Sequence, residues 1–281
     1  YVEEPRVVVE VDDGCGAQAI EAGVFMDVAR LVASKTGFTG CIRVVRVPPR
    51  HHGLGSTTQV ALSIYHAVQV LRGRSPGPGE LVEAGVGLLG RSVGSTVGSV
   101  LYAYGGFASG IGVPPPKAYT PLRLEVPEWW RFIIVIPGAS PGMSEEGERV
   151  LLEDMPEPLE SVRAMMARGF HALLVGLVRR DLYVALEGLR MMQVATGRYF
   201  SKHQGGVYRR DLAAVADEAS RDGIFLAQSS WGPTLYTITE KSVAHSDAKT
   251  LRMIMDEVGV AGSVLIASPR NTGGVVEGGS I

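Results

Sequence analysis

An α/β chain in two parts is the fold class the sequence predicts, and three observations predict it. A strand–helix–strand pattern runs from Arg6 to Val47; the clearest helical periodicity follows from Ser56; and past residue 125 strands and helices recur at uneven intervals, as in an α+β domain. The length of 281 residues suits one large domain or two of ordinary size. With 46 % apolar and 20 % charged residues, the composition is globular and excludes a disordered class.

Residues 6–14, RVVVEVDDG, are valine-rich and end on glycine, as a strand entering a turn does. Ile20, Val24, Val28, Leu31 and Val32 then repeat at helical intervals, and 41–47, CIRVVRV, reads as a second strand before Pro48 and Pro49. After Ser56, the residues Ala61, Ile64, Tyr65, Val68 and Leu71 form one apolar face. A Pro/Gly turn over 73–79 leads to a short helix over 80–89. Residues 98–113 are small, aromatic and glycine-rich, and Pro114 to Pro116 interrupt regular structure.

A boundary near residue 125 gives domains 1–125 and 126–281. The second opens with RFIIVIP at 131–137, an unbroken apolar run that predicts a strand covered on both faces. Helical spacing returns over 162–181, around Leu186, Leu189 and Met192, and over 211–220. Strands at 224–228 and 233–239, a helix over 249–258 and a strand at 263–268 complete the reading.

Lys and Arg number 27 against 29 Asp and Glu, a net charge of -2, so no global positive field collects nucleic acid or anionic lipid. Cys15 and Cys41 have no CxxC partner and read as two reduced thiols rather than a disulfide or a metal site. No uninterrupted apolar run reaches about 18 residues, and Glu3 and Glu4 stand where a secretory signal needs a basic flank. The expectation is a cytoplasmic protein with no membrane and no nucleic-acid partner. Because Tyr1 runs almost at once into a strand, the opening residues are expected to be missing.

The main chemical signal is PRHHGLGSTTQ, 49–59, between a strand and the best helix. Gly53 and Gly55 permit a tight turn, and Ser56, Thr57 and Thr58 offer hydroxyls where backbone donors lack internal partners. A phosphate held there would meet backbone N–H groups and the positive end of a helix, although the same features also serve as a simple cap. The pattern is neither GxxxxGK[ST] nor GxGxxG. His51 and His52 have no downstream spacing partner for zinc.

HHGLGSTTQ resembles the phosphate-binding motif of the GHMP kinase superfamily, and most closely that of the β-ribofuranosylaminobenzene 5'-phosphate synthase branch. His52, Gly53, Leu54, Gly55, Ser56 and Gln59 match; Thr57 departs from the usual glycine or serine and stiffens the turn. Residues 91–107, RSVGSTVGSVLYAYGGF, resemble a second landmark. The superfamily's kinases carry a catalytic aspartate where this chain has Gly98, followed by the pair matched by Gly105 and Gly106. A glycine supplies neither a base nor a metal ligand, so ordinary phosphoryl transfer lacks a usual part.

GRYFSKHQGGVY at 197–208 and QSSWGP at 228–233 also resemble the synthase branch, matching at Gln204, Gly205, Gln228, Ser229, Ser230, Trp231, Gly232 and Pro233. The stretch 138–148, with Ser144 and Glu145, and Asn271, Gly273 and Gly274 resemble it in part. The resemblance implies a two-domain fold, an N-terminal domain like ribosomal protein S5 and a ferredoxin-like α+β C-terminal domain.

It also implies condensation of phosphoribosyl pyrophosphate with 4-aminobenzoate or a hydroxybenzoate, releasing pyrophosphate and carbon dioxide, in methanopterin biosynthesis. Arg50, Gly53, Gly55, Ser56, Thr57 and Thr58 would bind phosphate; His51 or His52, Arg91 and Ser95 would act in catalysis. Gln59, Gln204, Gln228, Ser229, Ser230 and Trp231 would line the substrate. Mg²⁺ is expected on the pyrophosphate, with Asp12, Asp13, Glu145 and Glu148 as candidate ligands, and no ATP; a homodimer is compatible. Two rivals stand beside this: an ATP-dependent small-molecule kinase, and a non-catalytic binder of phosphorylated metabolites.

Overall fold

The computed structural model describes all residues except Ala17, Arg91, Ser92, 110–121, 139, 140 and 279–281; the side chains of Val93, Ser95, Glu145, Glu146 and Arg149 also lie outside that description. By contacts the chain divides into two compact units. The first holds Tyr1–Arg50, Gly55–Val126 and Arg270–Ile281; the second holds His51–Leu54 and Pro127–Pro269. The last residues thus return to the first unit, where the sequence reading kept everything past 125 in one domain.

In the first unit, β1 (Val8–Asp12) pairs antiparallel with β3 (Cys41–Arg46), and β2 (Ile20–Glu21) lies parallel on its other side. Two helices, α1 (Met26–Thr36) and α2 (Ser56–Leu71), bury their apolar faces with this sheet around Phe25, Val32, Ile42, Val60, Ile64 and Val68, each at most 1 % exposed. Helix α1 stops at Gly37, whose left-handed φ of 61° lets its N–H return to Ala33 and Ser34. Next, α3 (Pro78–Leu89) starts with Pro78 in its first turn and Glu80 accepting from Gly77 N.

Helix α4 (Val93–Tyr104) covers part of the stretch that composition marked only as small and glycine-rich. Small residues are what let it approach α3: a Cβ on Gly85 would stand 2.0 Å from Ser99 Oγ. Strands β4 (Phe107–Ser109) and β5 (Leu122–Leu124) form a separate antiparallel pair. Asn271 then fastens the returning tail, accepting from Val126 N and donating to Val126 O, both at 2.9 Å.

The cysteines correct the sequence reading, because Cys15 and Cys41 form a disulfide with Cα atoms 6.1 Å apart. Register explains the pairing. Asp12 lies opposite Cys41 in the β1–β3 ladder, and the turn after Asp12, whose Oδ1 accepts from Gly14 N, brings Cys15 back beside it.

The second unit is built on a four-stranded antiparallel sheet in the order β7 (Ala227–Gln228), β8 (Leu235–Glu240), β6 (Trp130–Pro137), β9 (Gly262–Ala267). Ile133 and Ile134, neighbours with opposite facing, are both buried, as the unbroken apolar run predicts. Helices α8 (Ala213–Arg221) and α9 (Ala244–Glu257) cover one face through Leu212, Val215, Leu251, Ile254 and Met255. Ahead of them come α5 (Glu145–Asp154), α6 (Glu160–Arg179) and α7 (Leu182–Gln204).

Helices α6 and α7 form a hairpin whose contact depends on glycine. A Cβ on Gly176 would lie 2.4 Å from Ala185 N, and one on Gly188 would lie 2.3 Å from Leu173 N. Among the described residues α6 is the one helix long and apolar enough to cross a membrane, a length the unbroken-run count did not register because Arg163 and Arg168 interrupt it.

The disulfide generates a test. Its ends are 26 residues apart, so a Cys15→Ser, Cys41→Ser double variant loses about 2–4 kcal/mol of stability by the loop-closure argument. Denaturant unfolding with and without reductant measures this. Two thiols titrating in the unreduced folded protein would remove the bond.

Candidate functional site

The glycine turn is divided between the units, and each side is built separately. In the first unit Gly55 is the N-cap of α2, with φ 64° and no side chain to accept from the first turn. Ser56 and Thr58 are buried, Thr57 half-buried, and Ser56 Oγ is 3.5 Å from Pro49 O. The start of a helix of 16 residues therefore has no side-chain cap, a local arrangement that suits an anion.

Arg50 is less available than the sequence suggests. Its Nη1 and Nη2 donate to the two carboxylate oxygens of Asp27 at 2.8 and 2.9 Å, and Nη1 also reaches Val24 O at 2.8 Å. That hydrogen-bonded guanidinium holds the Asp27 carboxyl below its ordinary range. Arg50 thus fastens the turn to α1 instead of standing ready for a phosphate. Gln59 is similarly committed: Oε1 accepts from Tyr1 Oη at 3.0 Å, and Nε2 donates to Gly98 O at 3.1 Å.

Gly98 itself packs on α2. A Cβ there would lie 3.1, 3.2 and 3.3 Å from Cγ2, Cβ and Oγ1 of Thr58. An aspartate in its place would require Thr58 to move, so the missing carboxylate and the threonine form one matched pair. Arg91 lies outside the described residues, as does the Ser95 side chain.

In the second unit, Gly53 meets the QSSWGP loop directly. Ser229 Oγ donates to Gly53 O at 2.7 Å across 176 positions of sequence. Gly53 has φ 76°, and a Cβ on it would fall 2.2 Å from Ser229 O. His51, also with positive φ at 58°, accepts from Gly142 N at 2.6 Å, and His52 is half-buried beside it. Gly142 wedges between the two loops, since a Cβ there would lie 2.4 Å from Gly232 O and 3.0 Å from His51 O.

Gln204 and Gln228 spend their carboxamides on the protein itself. Gln228 Nε2 donates to Gln204 Oε1 and Ser230 O, both at 3.0 Å, while its Oε1 accepts from Arg209 N at 2.9 Å. Gln204 Nε2 donates to Gly206 O and Val207 O. Both glutamines hold loops in shape where the sequence reading had them line a substrate. Ser230 is exposed with φ 53°, and half-buried Trp231 packs edge-on to Phe200 with centroids 4.5 Å apart.

Three residues not singled out from sequence complete this side. Gln193 on α7 accepts from Gln228 N at 2.9 Å and donates to Val207 O at 3.0 Å; a glutamine on a buried helix face was the available signal. Arg209 forms a two-point pair with Asp211, at 3.0 and 2.6 Å, and its Nη1 is 3.5 Å from Trp231 O. Gly142 had only its place in the 138–148 stretch. Among the described residues no group of three or more His, Cys, Asp or Glu side chains is placed to hold a metal; Asp12 caps its own turn, and the Glu145 side chain lies outside the description.

Gly53→Ala adds a methyl where backbone already stands and places alanine at positive φ. It is expected to displace the loop at a cost of about 1–3 kcal/mol. Ser229→Ala removes one hydrogen bond and costs about 0.5–1.5 kcal/mol. Thermal melts rank the two, and an alanine at 53 as stable as the parent would contradict the close contact.

No family model matches the sequence. The chain is similar to the β-ribofuranosylphenol 5'-phosphate synthase of Archaeoglobus fulgidus, 24 % identical over 98 % of this chain and 90 % of that protein. Among solved structures it resembles homoserine kinase from Cytophaga hutchinsonii, with TM-score 0.68 and 16 % identity, covering 97 % of this chain and 89 % of that one. Mevalonate pyrophosphate decarboxylase from Streptococcus pyogenes gives TM-score 0.64 and 11 % identity, covering 96 % and 85 %.

These structures correct the expected chemistry. The solved structures of similar fold are kinases, a phosphotransferase and decarboxylases, which overturns the expectation of glycosyl transfer from phosphoribosyl pyrophosphate. The expectation that ATP takes no part falls with it. The two-domain α/β fold matches that of the GHMP kinase superfamily, and the weaker sequence likeness runs along nearly the whole chain.

Proposed function

We propose that the chain is a small-molecule kinase that moves the γ-phosphoryl group of ATP to an oxygen of a small acceptor. The observation that carries this reading is the uncapped N-terminus of α2 behind Gly55, preceded by a second left-handed glycine at 53. Backbone N–H groups aimed outward from a helix start favour the phosphate chain of a nucleotide without needing a lysine. Gly53, Gly55 and Thr57 would receive the phosphates; His51 and His52 flank the turn and would orient them.

Gly98 weakens activation of the acceptor without removing the rest of the catalysis. Phosphoryl transfer proceeds through a loose transition state in which positioning and charge stabilisation supply most of the rate, and attack by the acceptor demands little prior deprotonation. A kinase lacking that carboxylate depends more heavily on its phosphate cradle.

The test is ADP formation from ATP and magnesium across a panel of small alcohols and phosphorylated alcohols, with ³¹P NMR identifying the product. Acceptor-dependent ADP is expected, with kcat/KM reduced about tenfold or more, near 1.4 kcal/mol, by Gly53→Ala. Saturable ATP binding with no turnover on any acceptor would make the protein a binder. Failure of the folded chain to bind ATP would end the proposal.

A further inference from the structure

Helix α6 carries two apolar seams, and α7 fills one of them. Val162, Met166, Gly169, Leu173 and Gly176 recur at steps of four and three, the spacing of a helix–helix contact. Gly169, Leu173 and Gly176 are buried, and a Cβ on either glycine would strike α7. On the opposite side of the helix, Ala164, Ala167, His171, Leu174 and Val178 recur at steps of three and four. None of these five is buried, and Ala167, His171 and Val178 are exposed. The helix packs chiefly on α7, and only 22 % of its most apolar 18-residue stretch is buried.

Large apolar side chains also stand open at both ends of this second seam. Val178 is 69 % exposed, while Leu159 just before α6 and Tyr183 at the start of α7 are each 74 % exposed. A contiguous apolar face of this kind marks an association surface. The residue pattern says which partner fits. The seam is small at its start, Ala164 and Ala167, and large at its end, Leu174 and Val178, with His171 at the centre. Glu157 and Glu160, each paired with exposed Arg163, stand at the acidic start; exposed Arg179 and Arg180 stand at the basic end. A second α6 laid antiparallel sets small against large and acidic against basic, whereas a parallel one sets like against like. Arg163 and Arg168 interrupt the apolar run, which a bilayer core disfavours and the solvated flank of a helix pair accepts.

We infer that the open seam of α6 is an isologous interface between two copies of this chain. The two α6 helices lie antiparallel about a two-fold axis at His171, and the two α6–α7 hairpins form a four-helix bundle. Leu159 and Tyr183 are equally far in sequence from His171, so Leu159 of one copy comes beside Tyr183 of the partner subunit. The inference does not depend on the kinase reading, and its test contains no nucleotide.

Sedimentation velocity of the full chain between about 0.1 and about 100 μM tests it. A dimer at micromolar concentration is expected, with the dissociation constant raised about tenfold or more by Leu174→Glu and by Val178→Glu and helix content unchanged by circular dichroism. Oxidative cross-linking reads the orientation in a parent whose two cysteines are already joined to each other. His171→Cys should give linked dimers, Ala164→Cys alone should not, and Ala164→Cys mixed with Val178→Cys should. A chain monomeric at about 100 μM overturns the inference, as does a dimer that both glutamate substitutions leave intact. Linkage of Ala164→Cys to itself would mean parallel helices, and binding of a monomeric chain to phosphatidylglycerol vesicles would give the face to a membrane; either result overturns it too.

Discussion

The hydrogen bond from Ser229 Oγ to Gly53 O joins two loops 176 positions apart, and the conformation of the glycine turn depends on it. The bond is short because nothing separates the two backbones: Gly53 has no side chain, and its left-handed φ aims the missing Cβ at Ser229 O. Around this contact, Gly142 fills the gap between His51 and Trp231, while the glutamines at 193, 204 and 228 fix the far loop through carboxamide-to-backbone bonds. The loop is thus shaped by groups that spend their hydrogen bonds on one another, which is how an irregular segment becomes rigid enough to present backbone donors.

Close packing without side chains recurs at the glycines of the first unit. Thr58 fills the space that a side chain at position 98 would need. Gly105 and Gly106 are held against the backbone of Thr272 and Leu124, and Gly273 and Gly274 against Ala103 and Tyr102. In the sequence these appear as separate glycine pairs. In the structure they are the two halves of one backbone-to-backbone seam inside the first unit.

Much of the fold was legible because it follows from periodicity. The apolar face of α2 and the doubly covered strand β6 needed only spacing and composition. Helix α4 was not legible, since its glycines and serines depress helical propensity and its formation rests on close approach to α3. The disulfide was hidden because strand register, not cysteine spacing, brings Cys15 to Cys41. At the site, motif residues could be found by type, but type does not say whether a side chain is occupied. Arg50, Gln59, Gln204 and Gln228 carry the right groups and direct them into the protein.

The tail that returns to the first unit bears on how the protein is made. Asn271 bonds Val126 across 145 positions, and Gly106 N reaches Arg270 O. During synthesis from the N-terminus, the first unit must therefore wait with this seam open until nearly the whole second unit has left the ribosome. Its β4–β5 pair and the end of α4 then face solvent or chaperone throughout that interval. The seam is therefore the part of the first unit that closes after every strand of the second unit's sheet is available.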